Sequence, residues 1–239
     1  MVGRTPEAEG GQMMSRSTRE SFMTRLHKPL GRTATIKEIP TPPEVDESIA
    51  RLVQQDADLF GIFCERAAAT GMKVHKVTQD TLHSAMSIRL REENAHTVGI
   101  SMTNPKVMEN AVTRAGFDIQ DWQNTPGKEG LDAQFDLDAG ITDVHAAIAE
   151  TGSLICQSGA NHTRGMSLIV PWHLAIVNKS QIMADLIDFW NDRSALSSHQ
   201  MPASIAIITG PSKTADIEGV LITGVHGPAK VDVFVVEDL

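Results

Sequence analysis

The chain has 239 residues, of which 41% are apolar and 21% charged, and a formal net charge of −9. That balance fits one globular domain with an arm and excludes a disordered or fibrous protein. The acidic excess and the lack of a large basic run argue against a nucleic-acid or anionic-membrane partner, since such surfaces need clustered Lys and Arg.

Residues 1–14 are polar and Gly-rich and are expected to form a disordered extension. Residues 15–31 predict an amphipathic arm helix: Ser17 and Glu20 fit a capping box, Phe22, Met23, Leu26 and Leu30 share helical spacing, and Gly31 is placed as a stop. Such an arm could dock on its own domain or join copies in a homo-oligomer. Residues 32–47 carry Pro40, Pro42 and Pro43, which pre-set extended geometry and make a linker. The folded domain is expected over 48–239.

Ser48–Gly71 predicts a helix, MKVHKV a strand, 79–95 a helix, TVGISM a strand, Pro105–Ala115 a helix ended by Gly116, and FDIQDW a short apolar segment. SLICQ, SLIVPWHLAIV, a helix near 180–191, ASIAIIT, a helix at 212–222 and VDVFVV complete the pattern. Apolar runs such as IAIIT read as strands covered on both faces. The fold class is therefore α/β, a mostly parallel Rossmann-like sheet between helices, with chemistry expected at turns on the sheet ends. No apolar run approaches the roughly 18 residues of a membrane span, and the amino-terminal residues resemble neither a signal nor a transit peptide, so a cytoplasmic location is expected.

Two cysteines, Cys64 and Cys156, are too few for a disulfide framework, a zinc site or an iron–sulfur site of the chain's own, and GxGxxG, Walker and HExxH motifs are absent. Three turn clusters remain. In GITDVHAAIAETGSL, Gly152 suits a tight reversal between two short strands, with Glu150 and Thr151 at its edge. Glu150 reads either as an acid, base or nucleophile or as a carboxylate that fixes the turn. In SGANHTRGMSLIVPWHLAIV, Asn161 and Arg164 could bind a small anion, Arg164 through its planar guanidinium. His173 reads as a core histidine, and His145 and His162, without metal-ligand spacing, as incidental. In IAIITGPSKTADIEGVLITGVHGP, Gly210 and Ser212 would open a helix whose free N–H groups attract a small carboxylate or phosphate, with Thr214 and His226 beside it and Asp216 in its first turn.

Taken in order, the GIT…AIAETGSL segment, the run through Asn161, Arg164, Ser167, Leu168, Pro171 and His173, and GPSKTADIE…GVHGP resemble the LUD domain family, in particular its lactate-utilization protein C (YkgG) type. The likeness covers about residues 48–236 and departs at Asp143-Val144-His145, where smaller residues are expected. The resemblance implies a NagB/RpiA/CoA-transferase-like fold and a place in oxidising L-lactate to pyruvate. It further implies a non-redox substrate-binding or assembly subunit, without a cofactor of its own, acting with partner proteins that carry iron–sulfur clusters. Glu150-Thr151-Gly152 is also similar to the Glu-x-Gly motif of CoA-transferases. A stand-alone CoA-transferase-like or sugar-phosphate-isomerase-like enzyme using Glu150 is the alternative.

Overall fold

The structure is a computed structural model that describes residues 18–31, 41, 43, 46–120, 127–197, 199–215 and 221–239. It divides into two units, Met1–Val45 and Asp46–Leu239. In the first, α1 (Arg19–His27) starts at Thr18, whose hydroxyl accepts from the Ser21 N–H at 3.2 Å. Ser17, the expected cap, lies outside the described residues. The helix stops at His27, and Gly31, at φ 64°, closes the turn that follows.

In the second unit the elements run α2 (Glu47–Ala50), α3 (Leu59–Ala69), β1 (Lys73–Val77), α4 (Gln79–Glu92), β2 (Thr97–Ser101), α5 (Pro105–Arg114), β3 (Asp118–Gln120), α6 (Gly127–Phe135) and β4 (Ala139–Asp143). They continue with β5 (Ala146–Ile148), β6 (Ser153–Gln157), α7 (Gly165–Leu168), β7 (Trp172–Asn178), β8 (Ile182–Met183), α8 (Leu186–Arg193), β9 (Ile205–Ile208), β10 (Lys213–Ala215), β11 (Leu221–Thr223) and β12 (Lys230–Val236). Among the described residues no helix is long and apolar enough to cross a membrane.

Six strands form an all-parallel sheet in the order β1-β12-β7-β4-β2-β3. Alternate residues of β12 serve opposite faces. Val231, Val233 and Val235 pack with Phe63, Cys64 and Ala67 of α3 and with Ala147 and Leu154 of the neighbouring sheet. Phe234 and Val236 pack with Leu82, Met86 and Leu90 of α4 and with Met108 and Val112 of α5. Each such side chain contributes about 1.5–3 kcal/mol by leaving water, so cover on both faces explains why VDVFVV is apolar on both faces at every position but Asp232. One charge lies inside this packing. Asp232 accepts from Nε2 of His75 at 2.7 Å, from Nε of Arg89 at 2.9 Å and from Nε1 of Trp172 at 2.9 Å. Burial pushes its carboxyl pKa up, but those donors outweigh it and hold the group below the ordinary carboxylate value.

Four expectations are corrected. The single helix over Ser48–Gly71 is broken between α2 and α3, because Arg51 turns away to pair with Glu47, Asp185 and Asp188 and because Asp58 starts α3 afresh by accepting from the Gly61 N–H. ASIAIIT is not a strand of the parallel sheet: β9 is the edge of a second sheet, β8-β5-β6-β9, where it runs antiparallel to β6 and leaves Ile207 44% exposed. The helix expected over 212–222 gives way to strand at both of its described ends. A hairpin of β10 and β11 stands there, with Thr214 opposite Ile222, and Asp216 lies outside the described residues. Near 180–191 the expected helix is shorter, α8 alone, preceded by a 3-10 turn at Lys179–Gln181 and by β8.

Candidate functional site

Because β2, β4, β7 and β12 are parallel, their carboxyl ends share one edge of the sheet, the usual place for ligands in open α/β folds. Asp143 closes β4 there. Its Oδ1 pairs with Nε2 of His162 at 2.7 Å and its Oδ2 accepts from the Thr103 N–H, just beyond β2, at 2.9 Å. His162 reaches it from a turn after β6 in which Gly159 and His162 exchange backbone bonds of 3.1 and 3.2 Å. The turn is stitched to the end of β2: Ser101 Oγ accepts from the Thr163 N–H, and Asn161 Nδ2 donates to the Thr103 carbonyl.

The pair borders a cavity of about 370 Å³, lined also by His145, Gln157, Ser158 and Gln181. A second cavity of about 320 Å³, with His83, Asn104, Met108 and Asn178 on its walls, shares Thr103, Asp143 and Gln181 with the first. Gln181 is spent on structure, donating to the Val144 carbonyl and accepting from the Asn178 N–H, both at 2.8 Å. His145 stands edge-on to Phe189 at 6.4 Å, and partial burial, then the charge of Arg193, hold its pKa below the usual histidine value.

Beneath Asp143 the chain is buried. His173 is fully buried and shares a 2.8 Å bond between its Nε2 and Thr142 Oγ1, while its Nδ1 has no partner among the described residues. Burial lowers its pKa to about 4, so it is a neutral core histidine, as the sequence reading expects. Burial likewise raises the Cys156 thiol to about 12. Among the described residues no group of three or more His, Cys, Asp or Glu is arranged to hold a metal ion.

The residues singled out in sequence are placed as follows. Asn161 comes to the cleft, and Arg164, exposed, opens α7 a few residues further on. The reversal at Gly152 is found between antiparallel β5 and β6, with φ 67°. Its backbone lies so close to α3 that a Cβ there would overlap the Ala67 nitrogen. Gly210, at φ 97°, lies against the Thr70 carbonyl, where a Cβ would stand 2.7 Å from the oxygen. Thr151, Ser153 and Thr209 link their hydroxyls at 2.6 and 2.7 Å. Glu150 is partly exposed, its N–H donates to the Ala184 carbonyl, and its carboxylate has no partner among the described residues.

Ser212 donates its N–H to the Pro228 carbonyl near the amino end of β12, Thr214 pairs within the hairpin, and His226 is exposed in the adjoining turn. Ser212 meets the turn of His226, where a Cβ at Gly227 would stand 3.3 Å from the Ser212 side chain and 3.4 Å from the Leu168 carbonyl of α7, while among the described residues no hydrogen bond joins Glu150, Arg164, Ser212 and His226 to one another. At that turn Lys213–Ala215 is strand, and the Ser212 N–H, expected to be free, donates to the Pro228 carbonyl. The residues that do converge include His145 and His162, which lack any local signal. Asp143 at the end of the strand-like AGITD is the one hint available.

A parallel sheet covered on both faces, with a polar cleft on its carboxyl edge, makes the chain an α/β domain. The chain belongs to the LUD domain family, which matches residues 62–236. It is 28% identical over 226 residues to lactate utilization protein C of Halalkalibacterium halodurans, covering 92% of this chain and 98% of that one. It is 27% identical to lactate utilization protein C of Bacillus subtilis (92% and 96% covered) and 26% identical to the uncharacterized protein YkgG of Escherichia coli (92% and 98%). A crystal structure of a DUF162 family protein from Deinococcus radiodurans has the same fold, with a TM-score of 0.56 at 23% identity, covering 75% of this chain and 96% of that one.

Proposed function

We propose that the chain is a component of a lactate-utilization system that oxidises L-lactate to pyruvate, acting as a non-redox subunit that binds the small carboxylate and works with iron–sulfur partner proteins. The names of relatives aligned over nearly its whole length support the pathway. Its two cysteines fall short of the four thiolates that hold an iron–sulfur cluster, which supports electron transfer by the partners.

The observation that carries the binding role is the Asp143–His162 pair in the cleft at the strand ends. With Nε2 engaged by Asp143, His162 keeps Nδ1 to exchange a hydrogen bond with the hydroxyl or carbonyl oxygen of a bound acid. The purified chain is tested alone and with its partners. Lactate oxidation is expected only in the mixture, and oxidation by the lone chain without added cofactor overturns the reading.

A second reading, an enzyme of CoA-transferase type, is favoured by one feature: the Glu150 carboxylate, in a Glu-Thr-Gly turn, has no partner among the described residues. Incubation with acyl-CoA and intact mass measurement tests it. An adduct lost in Glu150→Gln supports it, and no adduct removes it.

A further inference from the structure

We infer that the outer edge of β9 is a self-pairing surface: a second copy of this chain lays its own β9 along it, antiparallel, about a two-fold axis beside Ala206.

β9 is the last strand of its sheet and pairs on one side with β6, in the register Leu154 with Ile208, Ile155 with Ile207, Cys156 with Ala206 and Gln157 with Ile205. The next pair outward is Ser158 with Ser204, and there the Ser158 N–H donates to the Ser204 carbonyl at 3.0 Å. By the alternation of an antiparallel ladder, Ala206 and Ile208 likewise turn their backbone groups to β6. The Ile155 carbonyl agrees with this phase, since it accepts from the His145 N–H on the other side of β6 at 2.8 Å. The N–H and C=O groups of Ile205 and Ile207 therefore point outward, and no backbone partner meets them among the described residues. The strand itself is well anchored. Ile205 packs with Ile155 and Phe189 on one face, and Ile208 with Ala147 and Leu154 on the other. Ile207 shares the face of Ile205 but stands 44% exposed.

The other edges of the two larger sheets are guarded in the usual ways, by charge or by shortness. β1 carries the exposed Lys73 and Lys76, β3 is three residues long and opens on the exposed Asp118, and β8 has two residues. β9 has neither charge nor proline. Its neutrality is what selects a second copy as the occupant. Copies of a chain with a net charge of −9 repel one another, and a two-fold axis sets each charge beside it against its own kind, but Ser204–Thr209 holds none. With the axis beside Ala206, Ile205 of each copy lies opposite Ile207 of the other, and each such pair exchanges both of its N–H···O bonds. Ala206 meets its counterpart in the close position of the ladder, about 4.5 Å between Cα atoms, where its small side chain is no obstacle. The exposed Ile207 is thereby covered, and two four-stranded sheets become one continuous sheet.

The test is analytical ultracentrifugation of the full chain between about 1 and 100 µM, a range that spans the affinity of a small interface, with amide hydrogen exchange followed by NMR on the same samples. The wild type is expected to pass from monomer to dimer as its concentration rises. The Ile205 and Ile207 amides, fast in the monomer, should slow by about tenfold or more in the dimer, while those of Ala206 and Ile208 stay slow throughout. Ile207→Lys places a charge on the edge at an exposed position, and it should remain monomeric at the highest concentration with the melting temperature of the wild-type monomer. Leu26→Lys, at an exposed position of α1, should dimerise as the wild type does, which separates this edge from the arm as the joining surface. A wild type that stays monomeric overturns the β9 pairing and leaves the edge to a strand of another protein. A dimer that survives Ile207→Lys, is lost in Leu26→Lys or leaves the Ile205 and Ile207 amides fast overturns it as well. Slow exchange of those two amides at every concentration also overturns it, because another segment of the same chain then covers them.

Discussion

Asp143 and His162 meet at 2.7 Å although 19 residues separate them, and the second oxygen of Asp143 is held by the Thr103 N–H, so one carboxylate ties three loops together at the edge of the sheet. Both side chains keep about a quarter of their surface in water, at 22% and 27%. A pair so exposed contributes little to folding, so in the binding role proposed above its effect would show on the ligand.

Asp143→Asn and His162→Ala should therefore each change unfolding free energy by less than about 1 kcal/mol. Each should weaken L-lactate or pyruvate by about tenfold, and the double variant should be little worse than either single one, because the two residues act as a unit. Denaturant titration and calorimetry on the same samples check both halves.

His173 makes stability depend on pH. Its pKa falls from an ordinary 6.5 to about 4 in the folded chain. Between those values the unfolded state binds the extra proton, so the contribution is complete above 6.5 and is lost as the pH falls towards 4, amounting to about 3 kcal/mol. His173→Gln lowers stability at neutral pH but should flatten that part of the acid limb, as measured by unfolding at stepped pH.

Asp232 is the costliest acid to remove. Asp232→Leu leaves the buried Arg89 without a central partner and should cost about 3–5 kcal/mol. Asp232→Asn, which keeps an acceptor, should cost less. The ordering of the two in urea unfolding is the check.

Neither thiol should react in the native state. Burial raises Cys64 above its ordinary value and Cys156 to about 12, so hardly any thiolate is present at pH 8. Native protein treated with iodoacetamide should stay unmodified by mass, and denatured protein should take up two adducts.

Much of the fold is legible in the chain because its signals are local. VDVFVV and TVGIS read as strands, and the glycine between AAI and SLICQ reads as a reversal, since only a residue without Cβ fits φ 67° against Ala67. The hairpin at Lys213–Thr223 was hidden for the opposite reason. KTADIEGVLIT suits a helix on its own, and what decides otherwise is a set of distant bonds, among them the Ser212 N–H on the Pro228 carbonyl. The cleft was hidden in the same way. His162 carries no motif, and it matters only because the turn at Gly159 folds back on Ser101 and Thr103. Ile207 misled because an apolar residue on the open face of β9 makes a half-covered strand look wholly buried.

The place of β12 has a consequence for how the molecule is made. It lies between β1 and β7, and 157 residues separate His75 from its bonded partner Asp232. The β1–β12 and β12–β7 ladders cannot close during synthesis until the chain has been made out to residue 236. Until then β1 and β7 each present a bare backbone edge, the kind of surface that invites pairing with other nascent chains and the attention of chaperones.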